Sequence, residues 1–476
     1  MTASSNTDQS RVDRDRVSPE VECRPANAHV TTPADAAADV VTDRVLMVCL
    51  VAETALIAAT RPLWSGTSDF PAVPLFPALQ LLPPAVDNLV VGALLLLLLA
   101  AAAVLLLCCG RDTATRAEYQ DKPPTSDGQS VVTRVLLAGL LIAGLCAGAL
   151  NQHRLQPWHW LTLLLVAQRL LLRGVNRLST FRLTPAAIYF FAGLSRLGPS
   201  ADQGMSREII LTLHNILRLP PPGNPQFVFA LCVCVSLAES MIGVLLLVPR
   251  TRRLAVAGSV MMHSTLLLVL GPLGLNHYSG VLLWNMFFLI AVPLLNLPRI
   301  TPAIPDRGHQ RRERFPDTLR ASAMRITAVR LFLVLFPLSG LFGVADNWLS
   351  WQLYSPRPEV VALFIRADAV DDLPETVSPF VLPPPPLDDW CAIRLDRWSL
   401  SATGAPLYPE DRFQLAVAAD VIRRTTHAPG RDSLTVVENP ATADNRFRII
   451  IDEPQFPAWW RRREVSVDPV AIPFRL

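Results

Sequence analysis

The sequence predicts an all-α polytopic membrane bundle of about nine transmembrane helices, followed by a small α+β C-terminal domain outside the membrane. Three observations carry this prediction. Apolar residues make up 51% of the 476 positions and charged residues only 17%, against about 25% charged in ordinary globular chains. The apolar residues are gathered in runs long enough to cross a hydrocarbon layer of ~30 Å. From about residue 346 the pattern changes to short β-rich segments separated by Pro, Asp and Gly.

Residues 1–43 are polar, rich in Ala, Thr, Asp and Arg, and without periodicity, so they read as a disordered cytoplasmic tail. No short apolar segment with a cleavage site lies near Met1, and a cleaved signal peptide is not expected. The bundle is expected over 44–345. Its clearest span is 89–109, which carries no charge. Runs at 227–248, 254–275, 278–298 and 326–345 are similarly long, with Glu239, His263 and Arg330 inside the first, second and last. Weaker spans are 45–60 with Glu53, 132–150, 157–172 with Arg169, and 183–197. The last is short enough for a half-helix or a core helix.

Arginine placement sets the orientation. The segments 110–134, 173–182, 249–253 and 299–325 are Arg-rich, whereas 61–88, 151–156, 198–226 and 273–279 are Arg-poor. With nine crossings all the rich segments share one face. The N-terminus is then cytoplasmic, the C-terminal domain non-cytoplasmic, and the expected location is the inner (cytoplasmic) membrane of a bacterium.

In the domain at 346–476, strands are predicted at Val360–Ile365, Trp390–Leu400, Leu434–Val437 and Phe447–Ile451, and a helix over Pro409–Arg424. The Pro383–Pro386 run reads as a stiff spacer. The Trp459, Trp460 and Arg461–Arg463 cluster reads either as a lipid head-group contact or as a solvated loop.

Charge and cysteine exclude several classes. The net charge of +3 is too small for a nucleic-acid partner. Lys122 is the sole lysine, so chemistry requiring a deprotonatable lysine has one candidate. The eight cysteines form no CxxC and no zinc spacing, and most lie in apolar runs as small hydrophobes.

Intramembrane ionisable groups are costly and mark candidate sites. Glu239 must be protonated, paired or facing water, with Arg169, Arg196, Arg330 and His263 as candidate partners. It reads either as a proton-handling or ligand-binding carboxylate, or as half of an ion pair fixing helix register. His263 can transfer protons near neutral pH; its plainer reading is a hydrogen-bonded packing residue. Polar groups near the Arg-poor face form further candidates: His153, Arg154, Gln156, Trp158 and His159; Asn276, His277, Trp284 and Asn285; His214 and Asn215. An interfacial belt explains the tryptophans among them better than it explains Asn285. In Tyr189-Phe-Phe-Ala-Gly-Leu-Ser-Arg196-Leu197, the small pair Ala192/Gly193 would let another helix approach closely. Arg196 would then stand at the membrane exit.

This string resembles the horizontally transferred transmembrane (HTTM) family, which includes the vitamin K-dependent γ-glutamyl carboxylases. Tyr189–Leu197 matches the family's Tyr-Phe-x-Ala-Gly-x-x-Lys-Leu segment except that Arg196 replaces the lysine. Met261–Leu295 is similar to a later family segment, and His159 to a carboxylase histidine. The resemblance covers roughly 130–345 and implies an active site facing away from the cytoplasm. The family lysine is the base of the carboxylation; arginine stays protonated, so the fold carries over and the carboxylase chemistry does not. The same texture is similar to DoxX/MauE-type proteins, some linked to quinones or thiol redox. The expectation is therefore a pocket for a lipid, quinone or other amphiphile. Arg196, Tyr189, His159, Arg154 and Asn285 would bind the ligand, and Glu239 and His263 would handle a proton. No metal is expected. The alternative is a non-enzymatic anchor presenting the C-terminal domain. Oligomeric state is not readable from the sequence.

Overall fold

The computed structural model describes residues 32–66, 68–115, 127–198, 201–202, 204–298, 317–358, 360–425, 433–438, 447–450 and 465–466. The Arg-rich segment up to 316, Lys122 and the Trp459–Arg463 cluster lie outside them.

Every apolar run forms a helix. α1 spans Pro33–Ala59, α2 Arg61–Ser65, α3 Pro84–Thr115, α4 Asp127–Leu150, α5 Pro157–Leu171 and α6 Gly174–Ser195. α7 spans Met205–Ile216, α8 Pro225–Leu247, α9 Arg252–Leu270, α10 Ser279–Asn296 and α11 Asp317–Gly340. Among the described residues, six helices are long and apolar enough to cross a membrane: α3, α4, α8, α9, α10 and α11. The expected count of nine is thus met by six on length and composition. α5 has only 15 residues, about 22 Å at 1.5 Å per residue. α1 and α6 are longer but carry charges that pair with one another.

Those charges explain two departures from expectation. α1 begins at Pro33, well ahead of 44, because Thr32 caps it by accepting from Asp35 N at 3.1 Å and because its first turns hold α6. The Asp39 carboxylate accepts from Gly174 N at 2.6 Å, and Asp35 accepts from Val175 N at 3.0 Å. The start of α6 is therefore capped from another helix, which satisfies N–H groups left open at any helix N-terminus. Consequently 173–182, expected as a loop, is mostly helix, and Arg177 is fully buried inside it. Gly174 has φ +54°, and a Cβ there would stand 2.0 Å from Asp35 Oδ1.

α6 is the central helix. Its tightest neighbour is α8, and small residues permit the approach. A Cβ on Gly193 would stand 2.4 Å from the Ser236 carbonyl oxygen, and one on Gly243 would stand 2.5 Å from the Ala186 carbonyl oxygen. The small pair thus does admit a helix, as close-packed membrane crossings require. α7, amphipathic and short, occupies part of 198–226, which carried no predicted helix.

The C-terminal region forms a second layer on the end of the bundle where α4 ends and α5 begins. β1 (Val360–Arg366), β2 (Trp390–Ile393), β3 (Ser433–Glu438), β4 (Phe447–Ile450) and β5 (Val465–Ser466) make an antiparallel sheet in the order β2-β1-β3-β4-β5. Leu363 lies opposite Ile393 on one side and Thr435 on the other. The strand expected over Trp390–Leu400 stops at Ile393. The helix α12 (Leu395–Thr403) follows, closed by Gly404 at φ +71°. α13 (Asp411–Arg424) falls where a helix was expected and packs on β1, with Gln414 Oε1 accepting from Val361 N at 2.9 Å.

The core of this layer is not its own alone. Phe70, Val73 and Leu155 from the bundle's connecting segments pack with Leu363, Trp398, Phe413 and Val421. The Phe70 ring lies 4.7 Å from Trp398 and 5.4 Å from His153.

Candidate functional site

The structure places the seven predicted site residues in four polar groups, the first two of which share α6.

The first is neutral and directed. Asn285 Nδ2 donates to the Val281 carbonyl at 2.8 Å, which orients the amide so that Oδ1 faces His263 Nδ1 at 2.9 Å. Nδ1 therefore carries the proton, and Nε2 is left as the acceptor, because a neutral imidazole has one of each. The Tyr189 hydroxyl donates to His263 Nε2 at 2.8 Å, and its own oxygen is free to accept from Ser259 Oγ at 2.8 Å. The chain Ser259, Tyr189, His263, Asn285 thus joins α6, α9 and α10 with each donor matched to an acceptor. Phe288 stacks on His263 at 5.1 Å with 7° between the planes. Ser259 carried no sequence signal; it is visible only once helical spacing sets it one turn before His263.

The second is the Arg196–Glu239 ion pair between α6 and α8. Of the partners considered for Glu239, the others are engaged elsewhere. Arg169 holds Asp43 at 2.6 Å, Arg330 donates to Ser179 Oγ at 2.8 Å, and His263 belongs to the first group. Arg196 also donates from Nε to the Ala192 carbonyl at 3.1 Å. The side chains keep 9% and 14% exposure respectively, so the pair is nearly but not wholly enclosed.

The third is His159 with Glu53. His159 Nδ1 lies 2.6 Å from Glu53 Oε1, and both side chains are 2% exposed. His159 Nε2 faces the Gly144 carbonyl at 3.2 Å. A carbonyl only accepts, so Nε2 carries a proton and a single further proton lies between Nδ1 and the carboxylate. Thr162 Oγ1 lies 3.2 Å from Glu53 Oε2. In the sequence Glu53 stands out only as a charge within the weak span 45–60; its partnership needs the fold.

The fourth is Arg154, 1% exposed. It forms a two-pronged pair with Asp87 at the start of α3, donates to the Leu63 carbonyl at 3.2 Å and lies 5.7 Å from the Trp64 ring centre. Asp87 was not singled out from sequence. Trp64 also meets His159 edge-on at 5.2 Å, so one indole separates the third and fourth groups.

A narrow apolar cleft, walled entirely by buried side chains, lies between α1, α5, α6 and α10. Its walls include Val45, Leu165, Phe181, Thr184, Phe288 and Ala291. None of the seven predicted site residues lines it; Phe288 is its link to the first group. Among the described residues no group of three or more His, Cys, Asp or Glu side chains is placed to hold a metal.

No family model, curated protein or solved structure matches this chain.

Where the C-terminal layer meets the bundle, a fifth polar group went unread in the sequence. Arg412 donates to Gln152 Oε1 at 2.9 Å and to both oxygens of Asp346. Tyr408 donates to Asp346 Oδ2 at 2.7 Å, and Glu410 accepts from Asn347 N at 2.7 Å. Burial and the neighbouring Asp346 carboxylate push the Glu410 carboxyl up to about 7. His153 contacts the Pro406 carbonyl at 2.9 Å, and burial pulls its imidazole down to about 4.

Proposed function

We propose that the chain is a nine-crossing membrane protein of HTTM-like architecture. In this reading the intramembrane polar groups hold helices together, and the bundle anchors the C-terminal α+β layer on the non-cytoplasmic face. The observation supporting it is the dispersal of the candidate residues: Tyr189, His263 and Asn285, then Arg196, then His159, then Arg154, each saturated within a different helix contact. A binding site needs polar groups converging on one cavity; these do not converge. The deep participation of Phe70, Val73 and Leu155 in the core of the outer layer supports rigid presentation rather than a tethered domain.

Glu239→Gln in the full chain tests this. A packing role predicts reduced yield of folded protein or a changed oligomeric state, because removing one partner of a buried ion pair leaves the other uncompensated. Intact folding with loss of binding to a ubiquinone analogue or phospholipid probe overturns it. That second outcome would favour an amphiphile site of quinone or lipid type at Arg196 and Glu239. Its supporting observation is the residual exposure of this pair at the end of α6.

A further inference from the structure

Two flanks of the Arg-rich end differ in what their arginines meet. On the α1 flank, Arg169 and Arg177 pair with Asp43 and Asp39. On the flank formed by α6, α8, α9 and α11, no arginine has a carboxylate partner among the described residues; those that bond at all meet neutral oxygens. Arg182 donates to the Leu295 and Pro298 carbonyls at 3.1 and 3.2 Å, and Arg252 to the Leu246 carbonyl at 3.1 Å. Arg330 donates to Ser179 Oγ at 2.8 Å. Arg182 and Arg252 stand within electrostatic range of each other. Ser179 and Arg182 share a face of α6, which brings Arg330 toward them. Arg250 and Arg253 flank Arg252 and are exposed. The ends of α8 and α10 offset about half a unit of charge each, and the start of α9 adds about half a unit back. Most of the charge of these arginines is therefore unmet by protein. The patch is also open: Arg182 and Arg252 are half-buried, Arg330 is exposed, and none of their nitrogens is both enclosed and unpartnered. It borders lipid. Leu247, Val248 and Leu254, beside these arginines in the chain, are exposed. Arg330 lies nine residues into the apolar stretch Ala321–Gly340 of α11, about 14 Å along the helix, and that stretch is 11% buried. An arginine at such depth reaches back toward the nearer membrane surface, and its bond to Ser179 near the start of α6 directs it there.

We propose that Arg182, Arg252 and Arg330 form a surface site for the head group of an anionic phospholipid. The phosphate lies between Arg182 and Arg252, on the guanidinium donors that the helix-end carbonyls leave open, and Arg330 meets it from the membrane side. The acyl chains stay in the bilayer along Leu247 and Leu254. Basic pockets between transmembrane helices recognise lipid head groups by the same chemistry. The site lies at the end of α6 opposite the Arg196–Glu239 pair, so it stands whether or not that pair binds a ligand. It rests only on the chain's lying in a membrane.

The test uses the full chain, purified in detergent, stripped of lipid and followed by native mass spectrometry and thermal unfolding. Dioleoyl phosphatidylglycerol should be retained and raise the unfolding temperature. Dioleoyl phosphatidylcholine and inorganic phosphate should do neither. Arg252→Gln and Arg330→Gln should each weaken phosphatidylglycerol binding about fivefold, as loss of one basic contact near a membrane surface implies. Arg252→Lys, which keeps the charge, should restore most of it. Arg330 is exposed, so its variant tests the site even where Arg252→Gln lowers the yield of folded protein. Arg134→Gln removes an exposed arginine of α4 near Arg169 and Arg173, on the other flank, and should leave binding unchanged. Equal retention of the two phospholipids overturns the proposal. So does a loss in Arg134→Gln as large as in Arg252→Gln and Arg330→Gln, which would show diffuse attraction to a basic surface. Inorganic phosphate that stabilises as well as phosphatidylglycerol also overturns it, leaving a simple anion site.

Discussion

The two ends of the bundle are held by different chemistries. Where α1 and α6 begin, three aspartates of α1 meet the backbone and arginines of α5 and α6, and further arginines close open helix ends. Arg182 donates to the Leu295 carbonyl in the last turn of α10 and to the Pro298 carbonyl just beyond it, and Arg252 donates to the Leu246 carbonyl at the end of α8. Where α4 ends and α5 begins, the interface is instead aromatic and apolar. Phe70, His153, Trp398 and Phe413 pack ring on ring, and a single saturated cluster around Arg412 seals its edge. The difference follows from what each end must bury. The first end only has to satisfy helix termini, which charged side chains do at a surface. The second must hold a folded layer, and that takes apolar area.

Between the two ends lies the α6–α8 crossing on which both depend. Gly193→Val should have the largest effect, because its side chain would run into the backbone of α8 at Ser236, where no flexible neighbour can yield. The expected result is near-complete loss of monodisperse protein by fluorescence-detected gel filtration; normal yield would mean that α8 is held by other contacts. Phe413→Ala comes next. It removes a 0% exposed ring that touches Phe70, His153 and Tyr408, at about 3–5 kcal/mol for a large buried aromatic. Limited proteolysis should then release the C-terminal layer while the bundle stays intact. Unchanged protease resistance would show that the polar cluster alone suffices.

These two regions were unequally legible. The α6–α8 crossing was readable because Ala192 and Gly193 are small within an apolar run, and the hydropathy runs themselves gave the helices. The start of α6 was not, because Arg177 and Arg182 resemble loop arginines until Asp39 is seen to cover Arg177. Arg154, His159 and Glu53 were visible as polar residues near membrane ends, but their partners Asp87 and Gly144 lie on other helices. Pairing across helices is set by packing, which a single sequence does not display. The strand expected over Trp390–Leu400 failed after Ile393 because Leu395, Trp398 and Ser399 repeat at helical, not alternating, spacing. Arg412 and Asp346 lie 66 residues apart, and nothing local marks them as partners.

The junction also makes a pH prediction in which two groups oppose each other. Glu410 has a folded value raised to about 7 from 4.5. The folded state thus binds more protons than the unfolded one in that window, and stability falls as pH rises through it. His153 is depressed to about 4 from 6.5. Its contribution is fully present above 6.5 and is lost as pH falls toward 4. Between about 4.5 and 6.5 the two slopes oppose, so the wild-type junction should respond weakly to pH. Glu410→Gln removes one slope. Its proteolytic release of the C-terminal layer should increase steadily on acidification from pH 7 to 5, unlike the wild type. A variant as flat as the wild type would mean that His153 does not change its protonation on undocking.

The smallest effect belongs to the arginine-rich end and sharpens the contrast most cleanly. Arg182→Gln removes a cation from the carbonyls at the C-terminal end of α10 but leaves the apolar packing of α6 untouched. Charge at a helix C-terminus contributes about 0.3–1 kcal/mol and is screened by salt. The variant should lower the unfolding temperature slightly at low ionic strength, and the gap to wild type should close in high salt. Phe413→Ala should show no such convergence, because apolar burial does not weaken with added salt. If the Arg182 deficit instead persists in high salt, the guanidinium acts through its hydrogen bonds and its stem packing rather than its charge. The two ends would then differ in the residues they use more than in the force they use.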